Sequence, residues 1–205
     1  DLGGGVCLNH GGTDITNCSI TANLGGTGAG GIHVMLQAYK TISNCIVWNN
    51  SWPEISSSAY VEYSSVNGGW SGGGSGNINS NPNWTSGPGG DYYLGAGSGC
   101  LNSGSTTADN LCFTVKGGTR CMAQLTTSIS HARDTGQVDM GYHYPRDLTV
   151  PGDCSTIQCA INLALPGDTV RVGPGSYKEQ IDFSGKSITL TSTDGPEATV
   201  IDGNH

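Results

Sequence analysis

The chain has 205 residues, of which only 12% are charged, while Gly fills 34 positions and the formal net charge is −8. The 8 Lys and Arg are scattered and form no basic stripe, which argues against nucleic acid as a partner. No apolar run approaches the ~18 residues of a membrane helix, and the glycines lack the period of collagen. Abundant Thr, Ile, Val, Ser and Asn, with Trp 4 and Tyr 8, read as ordered all-β structure with many tight turns rather than as disorder.

A repeat opens the chain. Gly4-Gly5-Val6 leads to Ile15-Thr16-Asn17-Cys18-Ser19-Ile20, and Gly30-Gly31-Ile32 leads to Ile42-Ser43-Asn44-Cys45-Ile46-Val47. Cys18 and Cys45 are 27 residues apart. Short strands with alternating inward and outward residues, joined by turns, form coils that stack about 4.8 Å apart. Stacking sets Ile15 on Ile42 and Cys18 on Cys45 as a core ladder. It also sets Asn17 on Asn44 as a ladder of amides at a bend, where turn backbone groups need partners. One coil cannot bury its own face, so several are required.

Residues 49–67 continue more loosely as another coil, and Gly68–Gly76 reads as a Gly/Ser loop. Residues 1–86 are thus the β-helix coils. Residues 87–145 are an irregular closing segment, with anchors at Asp91–Leu94, Ser98–Gly104 and Val138–Tyr142 around an insertion at 105–137. Residues 146–205 start afresh. Asp153 or Ser155 caps a helix over Thr156–Leu165, whose apolar positions Ile157, Ala160, Ile161 and Ala164 share one face. Strands are expected at Thr169–Val172, Gln180–Phe183, Ser187–Thr191 and Thr199–Ile201.

The 8 cysteines lack zinc or haem spacing. Cys112 and Cys121 flank the Gly117-Gly118 turn, and Cys154 and Cys159 bracket the start of the helix. Both pairs are expected as disulfides of an oxidising compartment, with the pairing of Cys7 and Cys100 open. Cys18 and Cys45 lie within disulfide reach, yet buried free cysteine packs as a small hydrophobe, and reduced, stacked thiols are the preferred reading.

The cap stretch is specific enough to carry a resemblance. Pro166-Gly167-Asp168-Thr169-Val170, Gly173-Pro174-Gly175-Ser176-Tyr177, Gly185–Leu190 and Asp194–Gly203 resemble the N-terminal cap and first coils of bacterial secreted right-handed parallel β-helix repeat proteins. The two Ile-[Thr/Ser]-Asn-Cys coils are similar to that family's middle. Asn79–Trp84, with the anchors above, resembles its closing segment, often found ahead of a cell-surface anchor. The resemblance implies an extracellular, all-β right-handed parallel β-helix of about five or six coils, with a short capping helix and an irregular disulfide-bearing closing segment.

In that family cap coils precede middle coils, and this chain has the reverse order. Running His205 into Asp1 restores it, so the chain reads as one period of a tandem array. The expected function is structural: a repeat unit of an extracellular filament or cell-surface stalk, assembled head to tail from copies of itself. The alternatives are a polysaccharide lyase or glycosidase and a carbohydrate-binding adhesin. Glycosidase chemistry needs two carboxylates across the scissile bond, and lyase chemistry needs acidic cation ligands with a base. Acidic residues do not recur at matched coil positions, so no catalytic residue, metal ligand or cofactor is assigned. His10, His33, His131, His143 and His205 are read as solvated or structural. Trp48, Trp52, Trp70 and Trp84 with Tyr60, Tyr63, Tyr92 and Tyr93 could line a sugar-binding face, but core and edge packing is the preferred reading, with Trp70, in its Gly/Ser loop, the most exposed candidate for a glycan contact.

Overall fold

The computed structural model describes residues 4–9, 13–35, 41–56, 58–115 and 118–203. The junction expected between His205 and Asp1, with His10 and Gly117, lies outside the described residues. The chain divides into two compact units, Asp1–His143 and Tyr144–His205. Among the described residues no helix is long and apolar enough to cross a membrane.

Unit 1 is a solenoid whose three sheets grow by one rung per coil. The first sheet pairs β1 (Val6–Leu8) with β4 (Ile32–Val34), and Ile55 bridges onto Ile32 as its next rung. The second stacks β2 (Ile15–Thr16), β5 (Thr41–Ser43) and β7 (Tyr60–Glu62), then bridges to Gly73. The third stacks β3 (Ser19–Thr21), β6 (Ile46–Trp48) and β8 (Ser65–Val66), then bridges to Ile78. All these pairs are parallel. Inward residues make the core expected from the repeat: Ile15 faces Ile42 in register, Ile42 faces Val61, and Ile42, Cys45, Val47 and Val61 are wholly buried. The Gly-Gly pairs recur because adjacent backbones meet there. A Cβ on Gly4 would come within 2.4 Å of the Gly30 carbonyl oxygen, and one on Gly30 within 2.4 Å of the Ser51 carbonyl oxygen.

The bend between the second and third sheets corrects the expected asparagine ladder. The position after each strand of the second sheet is left-handed: Asn17 (φ 50), Asn44 (φ 52), Tyr63 (φ 45) and Gly76 (φ 70). Asn tolerates that backbone better than most residues, which is why it recurs. The amides of Asn17 and Asn44 do not bond each other. Asn44 Nδ2 donates to Ser105 Oγ (3.0 Å) and its Oδ1 accepts from Ser105 N (2.7 Å), while Asn17 Nδ2 reaches the Asp139 carbonyl (3.4 Å).

The following position supplies the ladder instead. Cys18 N–H donates to Cys45 Sγ (3.5 Å), Cys45 N–H to Ser64 Oγ (3.0 Å), and Ser64 N–H to Asn77 Oδ1 (3.1 Å). Each side chain accepts the corner amide of the rung before it. A second amide ladder stands at the next bend, where Asn50 Oδ1 accepts from Asn23 N and Nδ2, and Asn50 N and Nδ2 donate to Glu54.

The segment after the coils turns back along the solenoid flank. β9 (Trp84–Gly87) and β10 (Gly90–Leu94) form an antiparallel pair, and β11 (Cys112–Val115) with β12 (Gly118–Cys121) forms a hairpin inside the irregular insertion. Gly141 N bonds the Asn44 carbonyl (2.7 Å) and Tyr142 N bonds Ser19 Oγ (3.1 Å), so the segment covers the bend of the first two coils. Leu94, Cys100 and Met140 bury the outer side of β6 at Ile46.

In unit 2, β13 (Asp147–Val150), β14 (Thr169–Val172) and β16 (Thr189–Ser192) form one parallel sheet, and β15 (Gly175–Lys178) with β17 (Thr199–Asp202) a second. Helix α1 (Ile157–Leu163) buries Ile157, Ala160 and Ile161 against Leu148, Val150, Val170 and Val172, the face its spacing predicts. Its N-cap is Thr156, whose hydroxyl accepts from Cys159 N (3.1 Å). Asp153, one of the expected caps, instead accepts from Thr149 N (2.7 Å). The rungs clamp the helix at both ends. The Glu179 carboxylate accepts from Ile157 N and Gln158 N, 2.9 Å each, and Lys186 Nζ donates to the carbonyls of Ile161, Asn162 and Ala164. A carboxylate at the N-terminus and an ammonium at the C-terminus both oppose the helix dipole.

The expected strand Gln180–Phe183 is absent: Gln158 Oε1 and Nε2 hold the Asp182 backbone against the helix, and Gly175–Lys178 pairs in its place. Across the two units the strands make about 8 turns, more than expected. The surplus comes from places with no repeat signature, including the single-residue rungs at Gly73 and Ile78 and strand β13.

Candidate functional site

A cleft of about 530 Å³ opens beside the first sheet of unit 1. Its lining includes Trp52, Pro53 and Trp70 together with His33, Glu54 and Asn67. The roles of the two tryptophans differ from expectation. Trp70 is half-buried against the core: its ring lies over Gly72 and its Nε1 donates to the Gly73 carbonyl (3.0 Å). Trp52 is the exposed one, at 77%, with its ring beside Gly68. Of the aromatics that could line a sugar-binding face, Trp52 rather than Trp70 is thus the most exposed tryptophan.

The cleft floor is polar but poor in exposed charge. His33 stands on the outward side of β4, and its Nδ1 is buried without a hydrogen-bond partner. The Glu54 carboxylate is the one charged group in the lining, and it is turned into the Asn50 backbone and amide. Burial pushes Glu54 above the usual carboxylate range, and the Asn50 donors oppose the shift.

Carboxylates elsewhere serve structure. Asp14 accepts from Thr41 N across a coil (3.2 Å), Asp182 accepts from Ser184 N (2.7 Å), and Asp168 accepts from Arg146 N and Leu165 N. The densest polar cluster is buried in the flanking segment. His143 Nδ1 donates to the Gly141 carbonyl (3.0 Å) and its Nε2 bonds Asp134 Oδ2 (2.8 Å). Asp134 Oδ2 also accepts from Asp139 N (2.9 Å), and Asp139 accepts from Asn102 N (2.7 Å) and from the Thr127 hydroxyl. Burial raises Asp139 above the ordinary carboxylate value. A hollow of about 170 Å³ lies over Asp134 and Asp139. Among the described residues no group of three His, Cys, Asp or Glu is placed to hold a metal.

The cysteines fall into three kinds. Cys112–Cys121 is a disulfide joining directly paired residues of the β11–β12 hairpin. Cys154 and Cys159, the second expected pair, bring their sulfurs to 2.6 Å of each other at the start of α1. Cys18 and Cys45 are free thiols on successive rungs. A hydrogen bond from Cys45 lowers Cys18 to about 7 against an opposing burial effect, while Cys45, fully enclosed, is raised well above its ordinary value. The thiolate is the nucleophile, so iodoacetamide is expected to label Cys18 ahead of Cys45, with a rate that rises through a midpoint near pH 7. Peptide mapping after brief labelling checks this, and equal labelling of the two refutes it.

Together the stacked parallel strands, the short helix and the hairpin disulfide define an all-β solenoid protein. No protein-family model, no curated protein and no solved structure matches the chain. The resemblance to secreted β-helix repeat proteins therefore rests on the quoted motifs alone.

Proposed function

We propose that the chain is a structural unit of an extracellular filament or cell-surface stalk, in which the rungs of one solenoid unit continue into the next, head to tail. The observation that carries this reading is the rung-by-rung parallel growth of the sheets inside each unit, in which each coil is the template for the next. Val200 and Ile201 on β17 are apolar and 52% and 42% exposed. A parallel strand can template a further strand along its backbone groups. Pairing that does not close on itself propagates as a filament. The hairpin disulfide suits an oxidising exterior. The employment of Asp14, Asp168, Asp182 and Glu179 in backbone contacts favours this role over glycan cleavage. Multi-angle light scattering of the purified chain is expected to report large, concentration-dependent assemblies; a single compact monomer across the concentration range contradicts the reading.

A further inference from the structure

We propose that the Trp52–Trp70 cleft is a binding site for a neutral glycan, whose pyranose ring stacks on Trp52 while its hydroxyls meet His33 and Asn67. The proposal does not depend on filament formation.

Four observations point to this ligand. First, Trp52 holds a 77% exposed indole at the rim of a walled cleft. Its ring lies beside Gly68, at a place where a Cβ would come within 3.2 Å of it. Trp48, Trp70 and Trp84 are all at least half-covered, and Trp52 shares the lining of one opening with Trp70, so the two together make an aromatic patch. Second, Trp70 faces the same opening from a fixed position, tied by its Nε1 to the Gly73 carbonyl. Two aromatic walls with polar groups between them fit a flat ligand that has C–H faces and hydroxyl edges.

Third, the His33 imidazole, partly buried on β4, and the Asn67 amide supply polar side chains to the lining. Fourth, among the described residues no Lys or Arg lines the cleft, the one carboxylate there is Glu54, and the chain carries a net charge of −8. An anionic sugar finds no counter-charge here and meets like charge, so a neutral glycan is the class that fits. Specificity follows from the fixed Trp70 wall, since a ring that cannot lie parallel to Trp52 loses the stack.

The test uses the full chain and defined probes: mannohexaose, cellohexaose, chitohexaose and, as the acidic control, polygalacturonate. Binding is followed by tryptophan fluorescence and by isothermal titration. The expected result is saturable binding of at least one neutral hexasaccharide and none of polygalacturonate. Trp52→Ala is expected to weaken binding by about tenfold or more, a change of about 1.4 kcal/mol, while Trp52→Tyr retains most of it. Trp52 is exposed, so both variants should keep the wild-type circular dichroism spectrum. His33→Phe fills the floor without a hydroxyl partner and is expected to weaken binding without changing the fold. Failure of every neutral probe, preference for polygalacturonate, or binding indifferent to both Trp52→Ala and His33→Phe overturns the proposal.

Discussion

His143→Ala is expected to destabilise unit 1 by about 3–5 kcal/mol, the cost of removing one side of a buried, hydrogen-bonded pair. The side chains of His143 and Asp134 are 1% and 2% exposed, so water cannot replace the lost partner. The damage should spread in a defined order. Asp134 loses its imidazole contact first, then its hold on Asp139 N, and with it the Asp139 carboxylate that fixes Asn102 N and Thr127. This cluster organises a segment that has little regular structure of its own, and that segment covers Asn17 and Asn44. Urea unfolding followed by circular dichroism, with hydrogen exchange at Asn102 and Asp139, checks the prediction. A change below about 1 kcal/mol would mean that the flanking segment is held by its apolar contacts alone.

The second large effect lies in the core ladder. Ile42 is wholly buried between Ile15 and Val61, with a side chain on each neighbouring rung. Ile42→Ala removes apolar contacts on both sides and is expected to cost about 2–5 kcal/mol, against about 0.5–1.5 kcal/mol for Ile42→Val. Each rung is the floor of the next, so a cavity here weakens two interfaces. In a stacked array stability is close to a sum over neighbouring interfaces. Chemical denaturation of the two variants should preserve their order; equal costs would place Ile42 outside the stack.

Much of the fold is legible in the sequence, and the failures have physical causes. The Ile15–Ile42 register can be read because the same short motif returns after 27 residues with apolar residues at alternate positions. The helical face of Ile157, Ala160 and Ile161 follows from spacing alone. The rungs at Gly73 and Ile78 could not be read, because one bridging residue leaves no alternation to detect. The asparagine ladder was misassigned because one repeated residue type has two possible causes. Asn17 and Asn44 recur for their left-handed backbone, and the ladder runs from the backbone N–H of Cys18, Cys45 and Ser64 to the side chains of Cys45, Ser64 and Asn77, which differ in type but each present an acceptor atom.

Trp70 seemed exposed because glycine-rich segments usually are. The bare Gly72 instead gives its ring a surface to fold onto, and the exposed platform is Trp52. Neither the Glu179 and Lys186 clamp nor the His143–Asp134 pair is visible in the sequence, since each joins residues that only the fold brings together.

Electron microscopy of the purified chain beside Val200→Lys tests whether solenoid rungs propagate from unit to unit. Val200 is an exposed side chain of β17, and a lysine there sets a charge on the strand, a device that blunts strand pairing. The account predicts long unbranched filaments for the unaltered chain, with diffraction at about 4.8 Å along the axis, and short or single particles for Val200→Lys. Dispersed compact particles from the unaltered chain, or filaments indifferent to the lysine, would contradict it.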